Sequence, residues 1–379
     1  MTVGAFNEQV AGAEATAFWP VDDLGPEKVV FLRLPLGCTA TVVVDNTALG
    51  VGIGGTRMTT TVDAAEVARL ARAMTIKNAA AALPHGGAKS GITIPRPLDV
   101  AERERVVRAF AVAIRGLTDY VPGPDMGTCE TDMAWVRDEI GRAIGLPAVL
   151  GGIPLDELGA TGYGLAVTAE ALEEAGLLEV RGARVIVQGF GAVGKHAALQ
   201  LAERGALVVG VSDVRGAIYQ PDGLDLEALA AFKGEQGVHE FPFGTEVPRD
   251  DLLTMECDIF VPAAQADVIT KQNVDTLHTR FVLQGANLPI TPEAEHELHQ
   301  RGVLCIPDVI ANAGGVICGA VEYAGGNRDQ ASLAISTKVR RNVLQVLERM
   351  KADGLEPRAA ALRMAHERIA AAEGYRRRF

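Results

Sequence analysis

Three side chains in the first third of the chain combine reactive chemistry with unusual settings. Val67, Leu70, Met74, Lys77 and Ala81 step by 3, 4, 3 and 4 residues, so Lys77 falls on the apolar stripe of a helix. A lysine on such a stripe is costly to bury unless it meets an anion, so the chemistry it points to is anion binding. The bland alternative is a packed stem with the ammonium reaching solvent at the helix end. Twelve residues on, Lys89 stands in Pro84-His-Gly-Gly-Ala-Lys-Ser-Gly91, where glycines on both sides allow backbone and ligand to approach. It reads as a lysine presented by a loop. Asp125 follows in a second loop, held by Pro122 and Pro124, where an aspartate taken alone is usually a turn residue.

A second constellation begins with Gly189-Phe190-Gly191-Ala192-Val193-Gly194, directly after an apolar run at Arg184–Gln188 and at the start of a helical pattern. Asp213 ends the next apolar run, 19 residues beyond Gly194. Strand, GxGxxG, helix, strand and terminal acid form the dinucleotide-binding fingerprint in its proper context. The first glycine permits a tight turn, the second lets a pyrophosphate reach the backbone, and the third lets helix pack on strand. The helix N-terminus then offers free N–H groups and partial positive charge to the phosphates. Asp213 is expected to accept hydrogen bonds from the adenosine ribose, which favours NAD. Arg215, two residues on, leaves NADP open because it could meet a 2′-phosphate.

The elements that must position these groups divide the chain in two. Val29–Leu34 and Thr41–Val44 read as strands, with Gly50, Gly52, Gly54 and Gly55 as punctuation. A helix starts at Asp63, with Glu66 in capping-box position, and runs to about Leu83, where Pro84 and the Gly86-Gly87 pair stop it. Another covers about Val100–Thr118. From about Gly159 helices alternate with short apolar strands at 184–188, 206–213, 259–261, 281–284 and 303–306, which implies a parallel, doubly wound sheet. After Asn327 the pattern is helical. The expected architecture is α/β: an N-terminal substrate domain over 1–155, a Rossmann-type domain over 156–330, and C-terminal helices over 331–379 that return to the first domain.

A chain of 379 residues is long enough for two cores. Its net charge of −12 argues against a nucleic-acid partner, and the Arg376-Arg377-Arg378 run reads as a solvated tail. Five scattered cysteines show no metal-ligand spacing and no disulfide framework. The first basic residue is Lys28, so no charged n-region of a signal peptide is seen, and no apolar run nears the roughly 18 residues that span a bilayer. A reduced, cytoplasmic setting without metal is expected.

Taken together, Gly54-Gly-Thr-Arg-Met58, Met74-Thr-Ile-Lys-Asn78, Leu83-Pro-His-Gly-Gly-Ala-Lys-Ser-Gly91 and Gly123-Pro-Asp-Met-Gly-Thr128 resemble the glutamate/leucine/phenylalanine/valine dehydrogenases. So do Ala160-Thr-Gly-Tyr-Gly164, Val261-Pro-Ala-Ala264, Gly285-Ala-Asn287 and Ala311-Asn-Ala-Gly-Gly-Val316, all in family order. The resemblance implies NAD(P)-dependent interconversion of an L-2-amino acid with its 2-oxo acid and ammonia. It implies that Lys77 pairs with the substrate carboxylate, and that Lys89 is the catalytic lysine, its pKa depressed by burial and nearby positive charge. Asp125 would carry protons to and from ammonia, Asn312 and Gly55 would help hold substrate, and Thr161 and Asn287 would hold the nicotinamide end. Hydride would pass across an interdomain cleft. Residues 1–27, irregular and acidic, would contribute to subunit contacts in a homo-oligomer.

The resemblance divides on substrate. Val211-Ser-Asp-Val-Arg-Gly216 looks like the glutamate enzymes, yet Ile53 stands where those carry a lysine before the Gly-Gly pair. Gly319 aligns with their serine, the other partner of the side-chain carboxylate. A pocket formed by Ile53, Val316 and neighbours favours a branched or aromatic side chain, with glutamate as the alternative. Two further readings compete. A hydroxyacid dehydrogenase would need a histidine base, and only His85 stands beside the proposed site. A nucleotide-binding regulatory protein without turnover would be expected to have lost one of Lys77, Lys89 and Asp125.

Overall fold

The computed structural model describes residues 22–154, 158–233 and 236–376. The segment 1–21, Arg377 and Arg378, and the expected domain boundary at 155/156 lie outside them. The chain forms two compact units.

In the first unit β1 (Lys28–Arg33), β2 (Thr39–Asn46), β3 (Gly52–Thr59), β4 (Gly86–Thr93) and β5 (Tyr120–Pro124) form one sheet in the order β1-β2-β4-β3-β5. β1–β2 and β2–β4 are antiparallel, whereas β3 runs parallel to both β4 and β5. β3 and β4 correct the sequence reading: their glycines are not punctuation and loop but two buried central strands. One face of the sheet packs Val42, Val44, Ala88, Ile92 and Met58 against α2 (Val100–Ala113) and α3 (Glu130–Ile140). The other packs Val43 against Val67, Ala68 and Ala71 of α1 (Ala64–Ala80).

α1 begins where expected, with the Asp63 side chain accepting the Glu66 N–H at 2.7 Å. It lies so close to β4 that a Cβ on Gly87 would sit 2.0 Å from Thr75 N. Asp45 of β2, only 2% exposed, ties the layers by accepting from Arg72 Nε and Thr75 Oγ1. Asn78 Nδ2 donates to Gly86 O at 2.7 Å. These contacts explain why the Met74–Asn78 and Gly86–Gly91 blocks come as a pair.

The second unit is built on β6 (Arg184–Gln188), β7 (Leu207–Ser212), β8 (Ala217–Tyr219), β9 (Thr245–Val247), β10 (Ile259–Pro262), β11 (Phe281–Leu283) and β12 (Leu304–Ile306). Their order is β12-β11-β10-β6-β7-β8-β9. The first five of these strands are parallel, as expected; β8 and β9 add an antiparallel edge that the sequence reading lacked. α4 (Ala160–Glu174) and α5 (Ala192–Glu203) pack on each other beside the sheet, followed by α6 (Leu226–Lys233), α7 (Pro292–Gln300), α8 (Asp308–Ala311) and α9 (Gly314–Tyr323).

The C-terminal stretch divides, rather than returning to the first domain as a whole. α10 (Arg328–Asp353) packs on α4 within the second unit, and α11 (Pro357–Glu373) changes unit at Ala365. From its later half Arg368 donates to Ala79 O and Ala80 O at 2.9 and 2.6 Å, satisfying the carbonyl end of α1.

Candidate active site

The parallel register of β3 with β4 sets Gly55 level with Lys89, and with β5 sets it level with Gly123. Lys89 pairs with Val43, so its side chain rises on the α1 face, between Gly87 and Gly91, which α1 and Val62 cover. It is 7% exposed, and its Nζ lies 2.5 Å from Oδ2 of Asp125, just past the end of β5. Gly55 makes room for this pair. A Cβ there would lie 3.1 Å from Lys89 Nζ, 2.8 Å from Asp125 Cβ and 2.7 Å from Pro124 O.

The charge set against the Lys89 ammonium is thus a carboxylate, the opposite sign from the one expected. Burial raises the Asp125 pKa, but Lys89, the Met126 N–H and Arg57 outweigh it and hold the group below its ordinary value. Asp125 is therefore a carboxylate near neutrality, able to accept a proton. Its backbone is fixed as well: Asp125 N donates to Thr128 Oγ1 at 2.9 Å, which in turn donates to Thr56 O at 2.8 Å.

Lys77 and Ile53 belong to the same layer. Lys77, half-buried, sits in the last turn of α1. Ile53, 5% exposed, lies two residues before Gly55 and so on the same face of β3. The structure thus brings Lys89, Asp125, Gly55 and Ile53 to one face of the first sheet, with Lys77 on α1, the helix that packs on that face. His85, buried and edge-on to Tyr323 with ring centroids 5.7 Å apart, is held below its ordinary pKa by burial.

In the second unit β6 runs into Gly189, φ +99°, where a Cβ would lie 2.7 Å from Ala264 N. A Cβ on Gly194 would lie 1.9 Å from Gly189 O. Both glycines are demanded by the fold. Gly191 is not: a Cβ there meets nothing within 4 Å, and its φ of −91° suits any residue. It borders a cavity of about 690 Å³ lined by Gln188, Ser212, Asp213, Ala264 and Asp267 among others. A dinucleotide phosphate is the group that open glycine face fits, with the N–H groups of Ala192 and Val193 in the first turn of α5.

Other second-unit expectations take a different form. Phe190 is buried in the core, and its N–H donates to Ser212 O at 2.6 Å. Asp213 holds its own loop, with Oδ1 accepting from Arg215 N and Gly216 N at 2.8 and 3.1 Å and Oδ2 from Val238 N at 3.1 Å. Asn312 Nδ2 braces Gly285 O, Ala286 O and the Oδ1 of exposed Asn287 at 3.0–3.2 Å, while its own Oδ1 is buried with no hydrogen-bond partner among the described residues. Thr161 opens α4 beside Gly315, while Val316 and Gly319 lie on α9.

The family model described as Glutamate/Leucine/Phenylalanine/Valine dehydrogenase matches residues 151–377, and that described as Glu/Leu/Phe/Val dehydrogenase, dimerisation domain, matches 26–142. The chain belongs to this family. It is an NAD(P)-dependent amino-acid dehydrogenase. Among its relatives, the NADP-specific glutamate dehydrogenase of Saccharolobus shibatae is 39% identical over 293 residues, 74% of this chain and 69% of that one. The glutamate dehydrogenase of Aeropyrum pernix is 36% identical over 348 residues, 86% and 83% of the two chains. The hetero-hexameric glutamate dehydrogenase of Thermus thermophilus, in a Leu bound form, superposes with a TM-score of 0.83 at 31% identity, covering 93% of this chain and 91% of that one.

For this dehydrogenase the open face of Gly191 gives a test that separates ligand from fold. Gly191→Val is expected to keep the wild-type melting temperature while weakening NADH binding at least about tenfold, ~1.4 kcal/mol. Fluorescence titration beside thermal unfolding checks it, and unweakened binding would remove the phosphate from this glycine. Sequence reasoning quoted Arg57 within Gly54–Met58 but gave it no role. The dehydrogenase places its guanidinium on Glu66 and, at 3.4 Å, on Asp125. Among the described residues no group of three or more His, Cys, Asp or Glu side chains is placed to hold a metal ion, and no helix is long and apolar enough to cross a membrane.

Proposed function

We propose that the enzyme reversibly deaminates an L-2-amino acid with an apolar, branched or aromatic side chain. The observation that carries this is Ile53. Where the glutamate enzymes carry a lysine, β3 presents a buried isoleucine on the face that also bears Gly55 and Lys89. A substrate carboxylate brought there without a partner would cost several kcal/mol if the pocket is dry. Val316 and Gly319 on α9 supply no charge either.

Lys77 binds the substrate α-carboxylate, and Lys89 polarises the 2-oxo group and helps activate water against the imine. Asp125 takes a proton from the attacking ammonia's conjugate acid or returns one to the departing amine. The bound nicotinamide supplies or accepts the hydride exchanged with the substrate Cα. Gly189–Gly194 hold the pyrophosphate, Asp213 faces the ribose side, and Thr161 and Asn287 hold the nicotinamide end. NAD is the preferred form, since Asp213 repels a 2′-phosphate, while the exposed Arg215 leaves NADP as the alternative.

Glutamate is the second reading, favoured by the names of the Saccharolobus and Aeropyrum relatives. NADH and NADPH oxidation followed with ammonium and 2-oxoglutarate, 4-methyl-2-oxopentanoate or phenylpyruvate decides between them. Ammonium-dependent turnover of the latter two is expected; turnover of 2-oxoglutarate alone would overturn the apolar pocket. Ile53→Lys should then move preference toward 2-oxoglutarate by about tenfold or more, the ~1.4 kcal/mol of a modest charge pair. An unmoved preference would take Ile53 out of the pocket. We further read the enzyme as a cytoplasmic homo-oligomer; the hetero-hexameric Thermus relative supports assembly of several subunits but not their identity, and a single-subunit mass in solution would overturn the oligomer.

A further inference from the structure

Four charged side chains alternate on the α1 face of the first sheet. Glu66, in the first turn of α1, pairs with Arg57 Nη1 on β3. Arg57 Nη2 lies 3.4 Å from Asp125 Oδ1, and Asp125 Oδ2 lies 2.5 Å from Lys89 Nζ on β4. Arg57 Nε is buried and has no hydrogen-bond partner among the described residues, so the guanidinium is oriented by its two carboxylates. The two oxygens of Asp125 are therefore shared out. Oδ1 takes Arg57 and the Met126 N–H at 2.7 Å, and Oδ2 is left to Lys89. The Tyr120 phenol of β5, which also acts electrostatically with Asp125, bonds Ser90 and Thr56 on the opposite face of the sheet and is pushed up to about 12 mainly by burial, so it is neutral in the working range.

We propose that Arg57 is a positioning residue for the Lys89–Asp125 pair. Backed by Glu66, it fixes which oxygen of Asp125 meets Lys89 and holds that carboxylate from turning away. The proposal rests on the assignment of proton transfer to Lys89 and Asp125. A planar guanidinium can touch two carboxylates at once in a fixed geometry, which a lysine ammonium on a flexible stem cannot. Removing it leaves Asp125 with one cation instead of two, which raises the carboxyl pKa, and frees its side chain to turn.

The test compares Arg57→Met, Arg57→Lys and Asp125→Asn with the wild type, each first shown to be folded by circular dichroism and NADH binding. Arg57→Met is expected to lower kcat about 10- to 100-fold, the scale of a small misplacement of a catalytic group, with little change in KM. The acid limb of its kcat–pH profile should move to higher pH. Arg57→Lys should return that limb toward the wild-type position while kcat stays reduced. An unmoved limb and wild-type kcat in Arg57→Met, with Asp125→Asn inactive, would overturn the proposal alone. An active Asp125→Asn would instead overturn the assignment beneath it. If Arg57→Met does not fold, a wild-type kcat in Arg57→Lys overturns the proposal and a reduced one supports it.

Discussion

Replacing Lys89 by alanine is expected to lower turnover about 10²- to 10⁴-fold, the range set by one positioned proton-transfer group, while NADH still binds. That corresponds to roughly 3–5 kcal/mol of lost transition-state stabilisation. The separation of effects follows from where the residue sits. Lys89 is on β4 of the first unit, whereas the glycines and cavity that fit the dinucleotide are built from β6, β7, β10 and α5 of the second. The substitution also leaves Asp125 with Arg57 as its remaining charged neighbour among the partners described above, so its carboxylate loses its nearer cation as well as its working partner. Steady-state kinetics beside NADH titration gives the answer. Retention of more than about a tenth of wild-type activity, ~1.4 kcal/mol, would show that Lys89 does not do the chemistry.

The parts of this arrangement that were legible in the sequence are those written locally. GxGxxG between two apolar runs needs no tertiary information, and α1 announces itself by Asp63 and its apolar stripe. β3 and β4 were hidden for a physical reason. Gly-Ile-Gly-Gly-Thr-Arg-Met-Thr and Gly-Gly-Ala-Lys-Ser-Gly-Ile-Thr carry few β-branched or aromatic residues, and their glycines mark close approach of a helix or a charged pair rather than turns. Reading the Lys89 segment as a loop left its register open, when it is on a buried strand that sets it opposite Gly55. Arg57 was missed because its partner Asp125 lies 68 residues away, a separation no periodicity spans. Asp213 shows the converse limit: its position after a strand was readable, but its three backbone partners depend on the fold of the loops at 215–216 and 238.

Gly87→Ala is expected to destabilise the first unit by at least about 3 kcal/mol, the upper end for overpacking. The added methyl would lie 2.0 Å from Thr75 N, 2.2 Å from Thr75 Oγ1 and 2.5 Å from Thr75 Cα, in the middle of α1. Carbon needs about 3.5–4 Å, so the helix backbone must lift off β4. That movement breaks more than apolar packing. Thr75 Oγ1 donates to Asp45 at 2.5 Å and Arg72 Nε to the same carboxylate at 2.9 Å, so lifting α1 strips partners from a carboxylate buried in the sheet. Gly91→Ala, by contrast, would meet side-chain rather than backbone atoms, the methyls of buried Val67 and Val62 at 2.6 and 2.8 Å, which must shift, and Gly116→Ala meets nothing within 4 Å. Thermal and urea unfolding of the three variants should therefore rank them, with Gly87→Ala lowest, Gly91→Ala intermediate and Gly116→Ala within about 0.5 kcal/mol of wild type. A Gly87→Ala protein as stable as Gly116→Ala would mean that α1 does not hold the position on β4 from which Lys77 and Lys89 are presented on one face.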